Sequence, residues 1–135
     1  MMRTFLVDTN HLSAAINPVS PLRERLVQQH RQGARFRTCI PVVCEIEIGI
    51  QDCRHLDSYR RQLVQLIRKV KLVPLEPAMA QAYGEIYREL RRMGRVLSQV
   101  DMMLAAMVRL SKWTLLTTDK DFDVLPDIKT ENWLV

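Results

Sequence analysis

The sequence predicts an α/β fold built on a mainly parallel sheet covered by helices on both faces. Three observations lead there. Short apolar runs alternate with longer segments whose apolar residues recur at three and four positions. Strands separated by helices imply crossover connections, which pair strands in parallel. No repeat, low-complexity tract or Gly/Ser-rich linker interrupts the pattern, so residues 1–135 are expected to form one domain.

RTFLV (3–7) is the first expected strand, and HLSAAI (11–16) begins a helix that Pro18 and Pro21 interrupt before residues 22–32 resume it. FRTCI (36–40) is expected as the second strand. Pro41 suits the start of a helix because its missing amide would be unsatisfied there in any case. Val42, Val43, Ile46, Ile50 and Cys53 give residues 42–53 a helical stripe, and Tyr59, Leu63, Leu66, Ile67 and Val70 mark another amphipathic helix. LVPL (72–75) is a third strand that Pro74 places at an edge or ends early, since it cannot donate to a ladder. A long helix follows over 78–93 with Gly94 as its C-terminal cap. Ser98 opens a helix to about Ser111, WTLLTT (113–118) is a strand, and IKTENWLV offers a short last one.

With 47% apolar and 26% charged residues, the composition is that of a globular protein. No apolar run reaches the ~18–20 residues that span a bilayer. The N-terminus lacks the features of a secretory signal, so the expected location is cytoplasmic. Cys39, Cys44 and Cys53 show no metal or disulfide spacing and are expected to be inert buried thiols. The net charge of +5 is concentrated at Arg60, Arg61, Arg68, Lys69 and Lys71, then at Arg88, Arg91, Arg92 and Arg95. Either cluster fits a solvated helix face, or a footprint for nucleic-acid phosphate or an acidic protein.

The acids carry the chemistry. In an open parallel sheet, ligands bind beyond the carboxyl ends of the strands. Asp8 directly follows the first strand, Asp119 and Asp121 follow WTLLTT, and Glu45 lies about a turn into the helix after the second strand. Asp101 is in the first turn of its helix, and a helix that returns antiparallel to its strand begins at that same edge. Each acid also has an ordinary use. Asp8 suits a helix N-cap, and Ser98 and Asp101 fit a capping box. Glu45 resembles its solvated neighbour Glu47, and 119 and 121 suit a turn. Glu45 differs from Glu47 in having Gly49 four residues on, which leaves space beside it.

Four carboxylates on one rim repel one another unless a divalent cation neutralises them. Oxygen ligands of this kind suit Mg²⁺ or Mn²⁺, and such an ion suits phosphodiester hydrolysis. No Ser–His–Asp or Cys–His set and no Gly-rich phosphate loop is present, which sets aside nucleophilic and nucleotide-triphosphate chemistries.

VDTN (7–10), EIEIG (45–49), VDMMLAAMVR (100–109) and LLTTDKDF (115–122) occur in an order and spacing that resemble PIN-domain ribonucleases, most closely the VapC-type toxins of type II toxin–antitoxin modules. ENWL resembles their closing segment, so the likeness spans essentially the whole chain. It implies a three-layer α/β/α PIN-like fold, Mg²⁺-dependent cleavage of RNA with Mn²⁺ able to substitute, a homodimer, and inhibition by a cognate antitoxin inserted into the acidic groove. By position, Asp8, Asp101 and Asp119 correspond to metal ligands and Glu45 to the assisting acid. Asn10 corresponds to a side chain that positions the Asp8 carboxylate from behind. Asp121 is the alternative fourth acid. His11 is not usual in the family and reads as a first-turn helix residue.

Two other readings compete. One is a PIN-fold binding module whose acidic groove contacts a partner's arginines without cleaving RNA. The other is a phosphoacceptor domain, for which Lys120 offers the lysine, but LVPLE ends without the aspartate that chemistry needs.

Overall fold

The computed structural model describes residues 2–134. Four parallel strands, β1 (Thr4–Val7), β2 (Arg35–Arg37), β3 (Thr114–Leu116) and β4 (Thr130–Glu131), form one sheet in the order β2-β1-β3-β4. Leu6 pairs with Arg37 on one side and with Leu115 on the other, which makes β1 central. Phe5, Leu6 and Val7 are all buried. Consecutive strand residues point to opposite faces, so this shows that both faces of the sheet are covered.

Six helices provide the cover: α1 (Thr9–Ile16), α2 (Pro21–Arg31), α3 (Ile40–Ile50), α4 (Leu56–Val70), α5 (Pro77–Arg92) and α6 (Gln99–Ser111). They fall into two packed groups. The helices α1 to α4 contact one another, while α5 pairs with α6, which lies against β3. The starts follow local chemistry. Ser20 accepts from the Arg23 amide with Pro21 behind it, and Ser98 accepts from the Asp101 amide. Gly94 takes φ +66° just beyond α5, the left-handed conformation that suits a helix end. No helix among the described residues is long and apolar enough to cross a membrane.

Two expected strands differ from what is observed. The second stops at Arg37, because Cys39 caps α3 and Ile40 is already helical. The expected third, LVPL, contributes only a parallel bridge between Leu72 and Thr38. Thr38 donates to the Lys71 carbonyl and Val73 donates to that of Thr38, after which Pro74 has no amide to continue the ladder. A short 3₁₀ helix, Lys120–Val124, follows β3 and was not anticipated. The cysteines are corrected too: Cys39 is buried, but Cys53 is half-buried and Cys44 exposed.

Candidate active site

The sheet order fixes where a ligand belongs. From β1 the chain crosses to β2 on one side, whereas β3 lies on the other, so a crevice opens beyond the carboxyl ends of β1 and β3. Asp8 and Asp119 leave the sheet at these two ends.

Asp8 continues the ladder, its amide donating to the Leu116 carbonyl (3.0 Å), and it then caps α1. Its carboxylate is held on both oxygens: the Thr9 amide donates to Oδ1 (2.6 Å) and the Thr117 hydroxyl donates to Oδ2 (2.7 Å). Thr9 also reaches α3, its hydroxyl donating to Glu45 Oε1 (2.5 Å). Glu45 is exposed, and a Cβ built on Gly49 would meet nothing within 4 Å, so the space beside this acid is open. Glu47 is committed elsewhere, bound to Arg60 Nη2 at 2.9 Å, which holds its carboxyl below the ordinary value.

Asp119 caps the 3₁₀ helix. Its amide donates to the Thr117 hydroxyl (3.0 Å) and its Oδ1 accepts from the Asp121 amide (2.8 Å). Thr117 therefore binds both Asp8 and the backbone that carries Asp119. Asp121 lies exposed within the 3₁₀ helix.

Electrostatics joins the acids. Burial raises the Asp8 carboxyl, its hydrogen bonds from Thr117 and Thr9 oppose that, and the charges of Glu45 and Asp119 raise it further. Asp101 is pushed up to about 6, first by burial, then by Asp8, Asp119 and Glu45, against the Ser98 hydrogen bond. Glu45 and Asp119 thus act on both Asp8 and Asp101, and Asp8 acts on Asp101 as well, while Asp121 is not among the leading charges on either. None of these four acids forms an ion pair among the described residues. The donors are hard carboxylate oxygens of uncompensated charge, which fits Mg²⁺ or Mn²⁺ chemically. Among the described residues, no three acids, histidines or cysteines stand in an arrangement ready to hold a metal ion. Each carboxylate is drawn to its own threonine, serine or backbone partner instead.

Asn10 requires a correction. Its amide donates to the Thr118 hydroxyl (2.7 Å), not to Asp8, so it ties α1 to the end of β3. The donors that hold Asp8 are Thr9 and Thr117, whose roles went unread in VDTN and LLTTDKDF. The available signal was the hydroxyl of Thr117 directly after β3, since Thr9 holds Asp8 through its backbone amide. His11 is fully buried, and its Nε2 accepts from the Trp133 amide (2.9 Å), tying the C-terminal segment to α1.

Fold and site together define an all-parallel α/β domain with an acidic crevice at its strand ends. Residues 5–128 match the PIN domain, and the chain belongs to that family. No curated protein matches it by sequence. Its fold is similar to that of VapBC2 from Rickettsia felis bound to a DNA fragment from its promoter. There the TM-score is 0.85 at 20% identity, covering 96% of this chain and 98% of the other. DNA-bound VapBC from Salmonella typhimurium gives 0.82 at 21% identity over 98% and 99%. VapBC-5 from Mycobacterium tuberculosis, described as a member of the VapBC family of toxin–antitoxin systems, gives 0.67 at 17% identity over 96% and 98%.

Proposed function

We propose that the chain is a Mg²⁺-dependent endoribonuclease, with Mn²⁺ able to substitute, acting as the toxin of a type II toxin–antitoxin module. The observation that carries this reading is that four carboxylates from separate segments converge, Glu45 and Asp119 acting on both Asp8 and Asp101, with no ion pair to any of the four among the described residues. Asp8, Asp101 and Asp119 are the residues that would hold the ion, with Asp8 steadied by Thr9 and Thr117. When bound, a divalent ion supplies Lewis-acid activation of water and stabilises the leaving oxygen of a phosphodiester. Side-chain rotation would bring the acids together, since charge neutralisation removes the repulsion that favours their separate hydrogen bonds.

Glu45 is fixed by Thr9 through Oε1, which leaves Oε2 free to take the proton of an attacking water. The acidic crevice repels RNA phosphate, so the approach relies on surrounding arginines. The toxin assignment, a cognate antitoxin as partner and a homodimer draw support from the likeness in fold to the VapBC structures, one of them described as belonging to toxin–antitoxin systems. The substrate is expected to be tRNA or another structured RNA.

Asp8→Asn and Asp101→Asn should each abolish RNA cleavage while the circular dichroism spectrum stays native. Full cleavage by either variant, or by the native chain in excess EDTA, would remove the metal mechanism. The lack of a ready-made three-ligand arrangement favours one rival, a binding module whose acids take a partner's arginines. Calorimetric titration with Mn²⁺ separates the two, because a pure binding module shows no uptake that depends on Asp8.

A further inference from the structure

The turn between α5 and α6 forms a pocket that the acidic crevice leaves unexplained. It measures about 300 Å³ and is walled by Tyr87, Arg91, Arg95, Val96 and Met102, with the buried Leu90 and Leu97 completing it. Its position follows from the fold. Leu97 precedes the cap of α6 and Met102 follows Asp101, so pocket and carboxylate share one helix N-terminus. The turn itself is fixed: Gly94 donates to the Arg91 carbonyl (3.1 Å) and Arg95 donates to that of Leu90 (2.9 Å).

The wall has a particular chemistry. It contains no acid, and neither Arg91 nor Arg95 forms an ion pair among the described residues, in contrast to Arg60 and Arg109. Tyr87 is 51% exposed and Val96 88%, which leaves an aromatic ring and an aliphatic surface facing solvent between two free guanidinium groups. Aromatic rings and arginine planes stack on unpaired bases, and arginines bind the flanking phosphates. The volume is at the low end of small-ligand pockets, which run from about 300 to 1,000 Å³, so it takes one nucleotide and not a stretch of duplex.

We propose that this pocket is a subsite for a single unstacked nucleotide adjoining the scissile phosphate, Tyr87 taking the base and Arg91 and Arg95 the flanking phosphate. The inference rests on the nuclease reading for its substrate, and it adds a preference for single-stranded or looped RNA.

The test is fluorescence anisotropy of a labelled single-stranded oligoribonucleotide with the full chain carrying Asp8→Asn, which holds back cleavage. Tyr87→Ala should weaken binding roughly 5- to 150-fold, the range of one lost base stack, while Tyr87→Phe retains it. Arg91→Gln with Arg95→Gln should weaken binding and flatten its salt dependence. An abasic nucleotide moved along the strand should reproduce the Tyr87→Ala loss at one position, with no further loss when the two are combined. Unchanged affinity of Tyr87→Ala, or an equal loss on duplex RNA, overturns the proposal. So does a change of oligomeric state on sedimentation of Tyr87→Ala, which assigns the pocket to a second copy. Equal Tyr87-dependent binding of a polyglutamate peptide assigns it to an acidic protein. Tyr87-dependent RNA binding with no cleavage by the native chain defeats the nuclease reading and leaves the subsite standing.

Discussion

The Thr117 hydroxyl donates to Asp8 Oδ2 over 2.7 Å, joining the ends of the two central strands across 109 residues of chain. That hydroxyl also accepts from the Asp119 amide, so one side chain sets the spacing of two acids. Partners behind a metal's ligands typically contribute 10- to 100-fold in affinity or activity. Thr117→Val keeps the shape and removes both hydrogen bonds. It should lower Mn²⁺ affinity and RNA cleavage by about that factor, measured by calorimetry and single-turnover kinetics, and Thr117→Ser should recover most of the loss.

Asp101 makes the ion-free protein pay for its site. Its carboxyl is raised from 3.8 to about 6, so the folded state holds the proton more tightly than the unfolded one. This group's contribution is therefore complete below pH 3.8 and is lost as pH rises through about 6. Asp101 is half-buried, and solvent screening reduces the penalty at neutral pH to about 1 kcal/mol. Asp101→Asn should raise the melting temperature of the ion-free protein at pH 7 by about 3 °C. The gain should vanish near pH 4. Thermal melts in EDTA at several pH values measure it.

How much of this was legible in the sequence depends on how local the cause was. Ser98 and Gly94 specify helix ends through nearby atoms, and the apolar periods of α4 and α5 report their buried faces directly. The expectation that Asp101 lies at the rim came from chain direction alone. Pro74 marked an edge or an early end to its strand, and the loss of its amide ends pairing after one bridge. The threonines behind the acids and the His11 contact with Trp133 were not legible. Thr117 meets Asp8 across 109 residues and His11 meets Trp133 across 122, while Thr9 reaches Glu45 across 36, and nothing in the local pattern names those partners. Asn10 was given to Asp8 by the family resemblance, whereas its side chain donates to Thr118 just beyond β3.

Arg109 is expected to be the main polar clamp between α5, α6 and the loop before β4. Its guanidinium binds both oxygens of Glu89, at 2.5 and 3.0 Å, and both of Asp127, at 2.7 and 2.9 Å. Its side chain is only 17% exposed, so removal leaves two acids facing each other without their cation. Arg109→Met should cost about 2–3 kcal/mol, somewhat below the range for a fully buried pair because both acids reach solvent. Arg109→Lys should recover little, since an ammonium cannot make two planar two-pronged contacts. Urea denaturation of the three proteins measures both effects.

His11 gives stability the opposite pH dependence. Its imidazole is fully buried, Nε2 accepts from the Trp133 amide, and Nδ1 has no partner among the described residues. Burial lowers its pKa from 6.5 to about 4, so the unfolded chain takes up the proton first as pH falls. The resulting stability is complete above pH 6.5 and is lost as pH drops through about 4. At 1.36 kcal/mol per pKa unit the loss is roughly 3 kcal/mol. Trp133 packs edge-on against Phe5 and Phe36, so His11 protonation should release the C-terminal segment from β1 and β2. Tryptophan fluorescence should register that release. Asp101 gains over much of the same interval, so the native profile is the difference of two opposed contributions. His11→Gln should expose the Asp101 rise towards acid, and Asp101→Asn should steepen the His11 fall. Parallel profiles in all three proteins would mean that neither group governs stability between pH 4 and 6.5.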